Sequence, residues 1–391
     1  MRTAIPGTIP FARPRLGEEE AAAAREAILS GWLTQGPRVE AFEQAFARTV
    51  GAAYACAVSS CTAALHLALH ALGVGPGDEV VTVSHSFIAT ANAVRQCGAR
   101  PVFVDIERDT FNIDPQRIER AITPRTRAIL PVHQMGLPCD LRTILEIANR
   151  HGLPVVEDAA CAVGSEILFD GWWERIGRPR GVVACFSFHP RKVITTGDGG
   201  MLTTADPGLD ARFRLLRQHG MDVSDLTRHR STSLVFETYP VAGFNYRMTD
   251  MQAAVGLVQL GRLEEFLDRR RNLAARYFEA LDPIPGLEPP AAPPWTRPNF
   301  QSYPVRVTAA SPLTRNEWMG RLMERGVATR RGIMNAHQET PYAGEGPLPV
   351  SEAAREEVFL LPLYDAMTAA DQAYVIEALQ SVHDEAREDW R

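Results

Sequence analysis

Short apolar runs, bounded by glycine, proline and small polar residues, recur from about residue 50 to 205. Those at 54–58, 79–83, 101–105, 128–132, 154–157, 182–188 and 201–204 have the length and composition of strands. Between several of them the apolar positions switch to a period near 3.6, which predicts amphipathic helices over 62–72, 141–150 and 209–218. The strand runs are almost continuously apolar rather than alternating. Strand–helix alternation of this kind predicts an α/β fold, with a mostly parallel sheet of seven strands and helices on both faces. Gly73-Val-Gly-Pro-Gly-Asp78 is a turn cluster that ends one helix and feeds the next strand.

Beyond residue 249, Met251, Val255, Val258, Leu263, Phe266, Leu267, Leu273 and Tyr277 keep helical spacing to about 280. One long helix is expected there, with room for a kink. Asp282-Pro-Ile-Pro-Gly-Leu-Glu-Pro-Pro-Ala-Ala-Pro-Pro294 cannot continue it and reads as a connection. A smaller α+β part follows, with a strand near 302–307, a helix near 315–325 and a last helix from 369. The expected division is a large domain over 1–260 and a smaller one over 261–391, with a proline-rich linker at 282–298.

A chain of 391 residues accommodates two such domains. The formal charge of −6 and the absence of basic runs exclude a nucleic-acid partner as an expectation. The arginines at 269–271 sit among Glu264, Glu265 and Asp268 on a helical face. Six scattered cysteines, with no Cys-x-x-Cys pair, suggest neither a zinc site nor a disulfide framework, so no metal is expected. There is no apolar leader core and no run long enough to span a membrane. The expected location is the cytoplasm.

The most informative stretch is Ser187-Phe-His-Pro-Arg-Lys-Val-Ile-Thr-Thr-Gly-Asp-Gly-Gly200. An apolar strand delivers Lys192 into a glycine-rich turn. An amine presented in this way can form a Schiff base with a carbonyl cofactor such as pyridoxal phosphate (PLP). That cofactor also needs a carboxylate at its ring nitrogen, donors for its phosphate and an aromatic face. Asp158 closes the apolar strand at 154–157 and can supply the carboxylate. Glu157 points to the opposite side by strand alternation. Ser59-Ser-Cys-Thr-Ala-Ala64 joins a strand to a helix, offering backbone N–H groups and the Thr62 hydroxyl to a phosphate. Ser187 offers a second hydroxyl, and Phe87 follows a strand where it could stack on a ring. Each residue alone also has a plain structural reading: a surface lysine, an N-cap, a core phenylalanine.

Together these segments resemble the DegT/DnrJ/StrS sugar-aminotransferase family. Ser187–Gly200, Ser60-Cys-Thr-Ala-Ala-Leu-His-Leu-Ala68, Glu157-Asp-Ala-Ala160 and Gly243-Phe-Asn-Tyr-Arg-Met-Thr-Asp250 carry the resemblance. Ser30-Gly-Trp-Leu-Thr-Gln-Gly-Pro37 and Leu360-Leu-Pro-Leu-Tyr364 extend it over nearly the whole chain, in order. The resemblance implies a fold-type-I PLP enzyme working as a homodimer with shared active sites. It implies Lys192 as the lysine that carries the cofactor, Asp158 as the ring-nitrogen partner and Phe87 as the stacking aromatic. Cys61, Thr62 and Ser187 match phosphate-cup positions, and Asn245 matches a residue reaching the neighbouring subunit's phosphate. Cys61 stands where glycine is common, and Asp198 where glutamate is usual. Cys161 stands where Gln or His usually contacts the side of the cofactor's phenolic oxygen. In Thr329-Arg-Arg-Gly-Ile-Met-Asn-Ala-His337, Arg330, Arg331 and His337 are candidates for a donor carboxylate or an acceptor phosphate.

The reaction implied is amino transfer from glutamate or glutamine to a keto-sugar carried on a nucleotide. A keto-cyclitol is the alternative acceptor. Family members that dehydrate sugars lack the lysine, so Lys192 argues against that chemistry. The complete residue set argues against a non-catalytic PLP- or sugar-binding regulator.

Overall fold

The computed structural model describes residues 8–389. Nine strands precede residue 205: β1 Tyr54–Val58, β2 Glu79–Val83, β3 Arg100–Val104, β4 Thr126–Leu130, β5 Val156–Asp158, β6 Glu166–Phe169, β7 Trp172–Arg175, β8 Val183–Ser187 and β9 Gly200–Thr204. Two ladders, β3-β2-β4 and β5-β8-β9-β1, make the main sheet. They meet where β4 and β5 run parallel through the Ile129–Val155 and Val132–Asp158 bridges. The Asp158 N–H donates to the Pro131 carbonyl at 2.9 Å, and the His133 N–H to the Asp158 carbonyl at 3.0 Å. The seven-stranded order is therefore β3-β2-β4-β5-β8-β9-β1, with β9 alone antiparallel to its neighbours. The mostly parallel sheet read from the sequence is the sheet observed.

Side-chain alternation along these strands feeds two apolar layers. Ala55, Ala57, Val81, Val83, Ile129, Ala184 and Phe186 pack on one face with helices Pro37–Val50 and Leu141–His151. Cys56, Val58, Val80, Ala128, Leu130, Val183 and Cys185 pack on the other with helices Cys61–Ala71, Ala89–Gln96 and Pro207–Leu216. Both faces are covered, which explains why the strand sequences show little polar alternation. The C-terminal ends of β1, β2, β4, β5 and β8 all open at the same edge, where β9 begins.

The helix expected over 249–280 is two helices, Asp250–Gly261 and Leu263–Leu281, broken at Arg262. At the break Arg262 Nη1 donates to Oε1 of the buried Glu20 at 3.1 Å, and Gln259 Nε2 donates to the same oxygen at 2.7 Å. This ties in the helix Glu18–Leu29, which the apolar pattern did not announce. The Leu263–Leu281 helix lends Phe266 and Leu267 to the first core and Leu273, Tyr277 and Leu281 to a second.

That second core lies under an antiparallel sheet of β10 Leu287–Glu288, β12 Tyr303–Val307, β13 Arg330–Arg331 and β14 Val358–Leu361, in the order β10-β12-β14-β13. Helices Arg315–Glu324 and Ala369–Asp389 cover it. The proline-rich stretch is more than a tether. It carries β10, and β11 Thr296–Arg297 pairs with β6 beside the β6–β7 hairpin.

One buried ion cluster fastens the Pro37–Val50 helix to the sheet. Glu43 accepts from Arg214 Nη1 at 2.6 Å, from Arg217 Nη1, and from the Ala57 N–H at 2.8 Å. Burial pushes the Glu43 carboxyl up, but Arg217 and Arg214 outweigh it and hold its pKa below the usual value. Glu43→Ala leaves Arg217 buried without its acid. We expect a loss of about 3–5 kcal/mol, read as a lower denaturant midpoint. The depressed folded pKa means that this contribution is full above the ordinary glutamate range. It fades as pH falls through the folded value.

Candidate active site

The edge where the parallel strands end is where open α/β sheets bind ligands. After β8 the chain makes a tight excursion before returning into β9. The Lys192 N–H donates to the His189 carbonyl at 2.8 Å and the Thr195 hydroxyl to the Phe188 carbonyl at 2.7 Å. Val193 and Ile194 are buried anchors, so Lys192 is held by backbone on both sides. Its Nζ lies 3.0 Å from the Cys161 Sγ. Burial pulls the ammonium's pKa down, but Cys161, Cys61 and Asp158 outweigh that and hold it above the ordinary lysine value.

Lys192 carries a signal that the strand–turn pattern did not use. It is the only lysine among the 41 lysines and arginines of the chain, the other 40 being arginine. Arginine serves as surface cation and ion-pair partner everywhere else. The one position kept as lysine calls for an amine that can shed its proton, which a guanidinium does not do.

Asp158 ends β5 and is buried. Its Oδ2 accepts from the Thr90 hydroxyl at 2.8 Å and its Oδ1 from the Ala160 N–H at 3.1 Å. Burial raises its pKa, and the opposing pull of Thr90, Ala160 and Lys192 does not restore it. Thr90, three residues after Phe87 in the first turn of the helix Ala89–Gln96, is a site residue that the sequence pattern does not mark. Its hydroxyl is aimed by a contact 68 positions away in sequence, so no local pattern reveals it. Glu157 faces the other way, as alternation required. It accepts from His133 Nε2 at 3.1 Å and from the Gly181 N–H at 3.1 Å, inside the fold.

At the end of β1, Ser60 caps the Cys61–Ala71 helix, its Oγ accepting the Ala63 N–H at 3.1 Å. The first N–H groups, those of Cys61 and Thr62, have no partner within the helix and lie at its positive end. The Cys61 thiol is buried against the Cys185 carbonyl at 3.6 Å, and burial then Asp158 push its pKa well above the ordinary value. Gly200 touches this turn. A Cβ there would stand 2.4 Å from the Ser60 carbonyl oxygen, so only glycine lets β9 start so close. Ser187 is buried at the end of β8, and its Oγ accepts the His189 N–H at 3.4 Å.

Phe87 follows β2 at the same edge and is 65% exposed. Asn245 is exposed too, on a segment that runs beside the end of β1. There the Ser59 N–H donates to the Tyr246 carbonyl at 2.8 Å, and Asn245 Oδ1 accepts from Arg247 at 3.4 Å. Arg330 and Arg331 are exposed on β13, with the Arg330 guanidinium 5.6 Å from the Phe11 ring centroid. His337 is buried: its Nδ1 bonds the Ser84 Oγ at 2.6 Å and its Nε2 the Glu352 Oε1 at 3.1 Å. Thus Lys192, Asp158, Cys161, Cys61, Thr62 and Ser187 share one end of the sheet, whereas both nitrogens of His337 are engaged in the wall.

These residues suit PLP. A buried carboxylate whose direct partners are neutral donors fits a protonated ring nitrogen. Unpartnered N–H groups at a helix start fit a phosphate.

Such a fold with a lysine, a buried carboxylate and a helix-start anion site defines a PLP-dependent aminotransferase. Comparison with known proteins agrees. Residues 14–380 match the DegT/DnrJ/EryC1/StrS aminotransferase family, and the chain belongs to it. It is similar to the aminotransferase TlmJ from Streptoalloteichus hindustanus: 38% identity, TM-score 0.89, covering 97% of this chain and 100% of that one. It is likewise similar to DesV of S. venezuelae, solved with a ketimine intermediate: 38% identity, TM-score 0.86, covering 97% and 98%. A third match is Spr1654 from Streptococcus pneumoniae, solved in a PMP-form: 28% identity, TM-score 0.90, covering 97% and 100%. Among the described residues no helix is long and apolar enough to cross a membrane, and no His/Cys/Asp/Glu group could hold a metal ion.

Proposed function

We propose that this aminotransferase moves an amino group from glutamate or glutamine to a keto-sugar carried on a nucleotide, in amino-sugar biosynthesis. The observation that carries the reading is the convergence of the sole lysine and a buried aspartate at the ligand edge of an aminotransferase fold. Membership of a family whose solved relatives include a protein of pseudoaminic acid biosynthesis supports a sugar acceptor.

The bound cofactor supplies an electron sink for the donor's α-carbon. Asp158 holds the proton on the ring nitrogen, because a buried carboxylate is stabilised by a cation beside it. The Cys61 and Thr62 N–H groups, the Thr62 hydroxyl and the Ser187 hydroxyl bind the phosphate. Phe87, exposed at the same edge, would supply the aromatic face for the ring. Lys192 would anchor the cofactor through Nζ and, once its amine is free, would take up and give back the donor's α-proton on that nitrogen, as base and then as acid. Arg331 is assigned to substrate recognition from its exposed place on β13; His337, whose two nitrogens are taken by Ser84 and Glu352, would support the wall rather than meet the substrate.

The working unit in this reading is a cytoplasmic homodimer, with Asn245 serving the neighbour's phosphate. Exposed Leu234, Phe236, Tyr239 and Val241, on the segment leading to Asn245, support a covered surface there. The test is spectral. Glutamate or glutamine added to the purified, PLP-loaded protein should convert the cofactor's absorbance to that of the aminated form. A keto-sugar nucleotide should restore it. Failure of every common amino donor to convert the band refutes the reading.

A further inference from the structure

We infer that Thr90 is a positioning residue for the ring-nitrogen site: its hydroxyl, backed by that of Ser86, holds Asp158 in the orientation and the charge state that the cofactor's ring requires. Thr90 Oγ1 donates to Asp158 Oδ2 at 2.8 Å, and Ser86 Oγ lies 2.8 Å from Thr90 Oγ1. All three residues are buried, where an unmade hydrogen bond is costly. Polar side chains at a helix start commonly bond their own backbone. The Thr90 N–H donates to the Phe87 carbonyl at 3.1 Å, but its hydroxyl is turned across the fold to a strand 68 positions away. One residue thus joins the turn that carries Phe87 to the acid at the end of β5.

Counting hydrogens gives the chain of contacts a direction. A threonine hydroxyl has one hydrogen, and an ionised carboxylate can only accept. Thr90 gives its hydrogen to Asp158, so Ser86 must donate to Thr90. Were Asp158 protonated on Oδ2, the chain would reverse and every bond in it would join neutral groups. A hydrogen bond to a charged acceptor is roughly twice as strong as a neutral one, so the two hydroxyls favour the ionised acid. Burial is the largest influence on Asp158 and pushes its pKa up. Thr90 leads the groups that oppose it, ahead of the Ala160 N–H, Lys192 and His133. Cys61, from the helix start, and Cys185, on β8, also face Asp158, and burial keeps both thiols protonated. Loss of the Thr90 hydroxyl must therefore raise the folded pKa of Asp158 further. For an acid, that is a stability cost that grows as pH rises through the folded pKa.

The effect on the ring rests on the aminotransferase reading; the effect on the charge of Asp158 does not. The first experiment therefore uses cofactor-free protein. Thr90→Val keeps the shape and removes the hydroxyl, whereas Thr90→Ser keeps the hydroxyl. Melting temperature is followed from about pH 5 to about pH 9, above the ordinary aspartate range. The valine variant should melt below the native chain by a margin that widens as pH rises, while the margin of the serine variant stays constant. In an Asp158→Asn background the valine margin should be the same at every pH. A margin independent of pH when Asp158 is present means that Thr90 only fills space; it overturns the inference and leaves the aminotransferase reading standing. The second experiment uses PLP-loaded protein. Thr90→Val should lower kcat about 10- to 100-fold, the range expected for a hydrogen bond to a charged group, with a smaller change in the donor's KM. Thr90→Ser should recover most of that loss. Equal losses in the two variants also overturn the inference, because the hydroxyl is then not what matters. A native chain that takes up PLP but transfers no amino group from any donor refutes the aminotransferase reading instead, and the pH-dependent margin still decides the role of Thr90 toward Asp158.

Discussion

Lys192→Ala is expected to lower kcat by about 10³-fold or more while the fold and the cofactor pocket persist. Positioned proton transfer by a side chain contributes about 10²–10⁴-fold, and this substitution also removes the covalent anchor. The chain has no second lysine to substitute for the first, so the variant contains none at all. That makes the measurement unusually clean. Borohydride reduction of the PLP-loaded native protein should fix the cofactor to a single peptide, the one containing Lys192. The same treatment of the variant should leave the side chains unmodified. PLP is still expected to bind the variant without a covalent bond, since Asp158, Thr62 and Ser187 are untouched. Turnover within tenfold of native would remove Lys192 from the mechanism.

The parts of this site that were legible before the fold are those written in local chemistry. A run such as Val183–Ser187 is buried on both faces, so its apolar composition marks it as a central strand. Glycines at 197, 199 and 200 mark the turn that follows Lys192. Ser60 and Thr62 mark a helix start. The β6–β7 hairpin has a local signature: Asp170-Gly171 lies between the apolar run Ile167-Leu-Phe169 and the pair Trp172-Trp173, and both turn residues have positive φ, as a tight two-residue turn demands. What local pattern does not carry is pairing across the fold. Thr90 meets Asp158, and His337 meets Ser84 from 253 positions away. The Glu18–Leu29 helix is mostly Glu and Ala, with only Glu20 and Ala27 buried, so its apolar stripe is too faint to read. The break at Arg262 is likewise set by a distant partner, Glu20.

Asp158→Asn separates what this residue does for catalysis from what it does to stability. Asparagine keeps the size and can still accept the Ala160 N–H, but it bears no charge for the ring nitrogen. Breaking a buried charge pair by removing one partner costs about 3–5 kcal/mol, which corresponds to roughly 10²–10⁴ in rate if it is felt at the transition state. The loss should fall on kcat more than on the donor's KM, since the ring's charge matters most as the α-proton leaves. Stability should move the other way in the cofactor-free protein. Burial raises the folded pKa of Asp158 above its unfolded value, so the folded state holds the proton more tightly. Below the ordinary aspartate range both states are protonated and the residue costs nothing. As pH climbs from there through the folded pKa, the native chain is progressively penalised for an uncompensated buried charge. The neutral asparagine escapes this, so cofactor-free Asp158→Asn should melt at a higher temperature than the native chain near neutral pH and draw level with it in acid. Adding PLP should stabilise the native chain far more than the variant, because the ring cation then offsets the penalty. If the cofactor-free variant melts lower at neutral pH, the carboxylate is better satisfied by Thr90, Ala160 and Lys192 than its burial indicates. The case for a cationic partner at Asp158 would then fall with it.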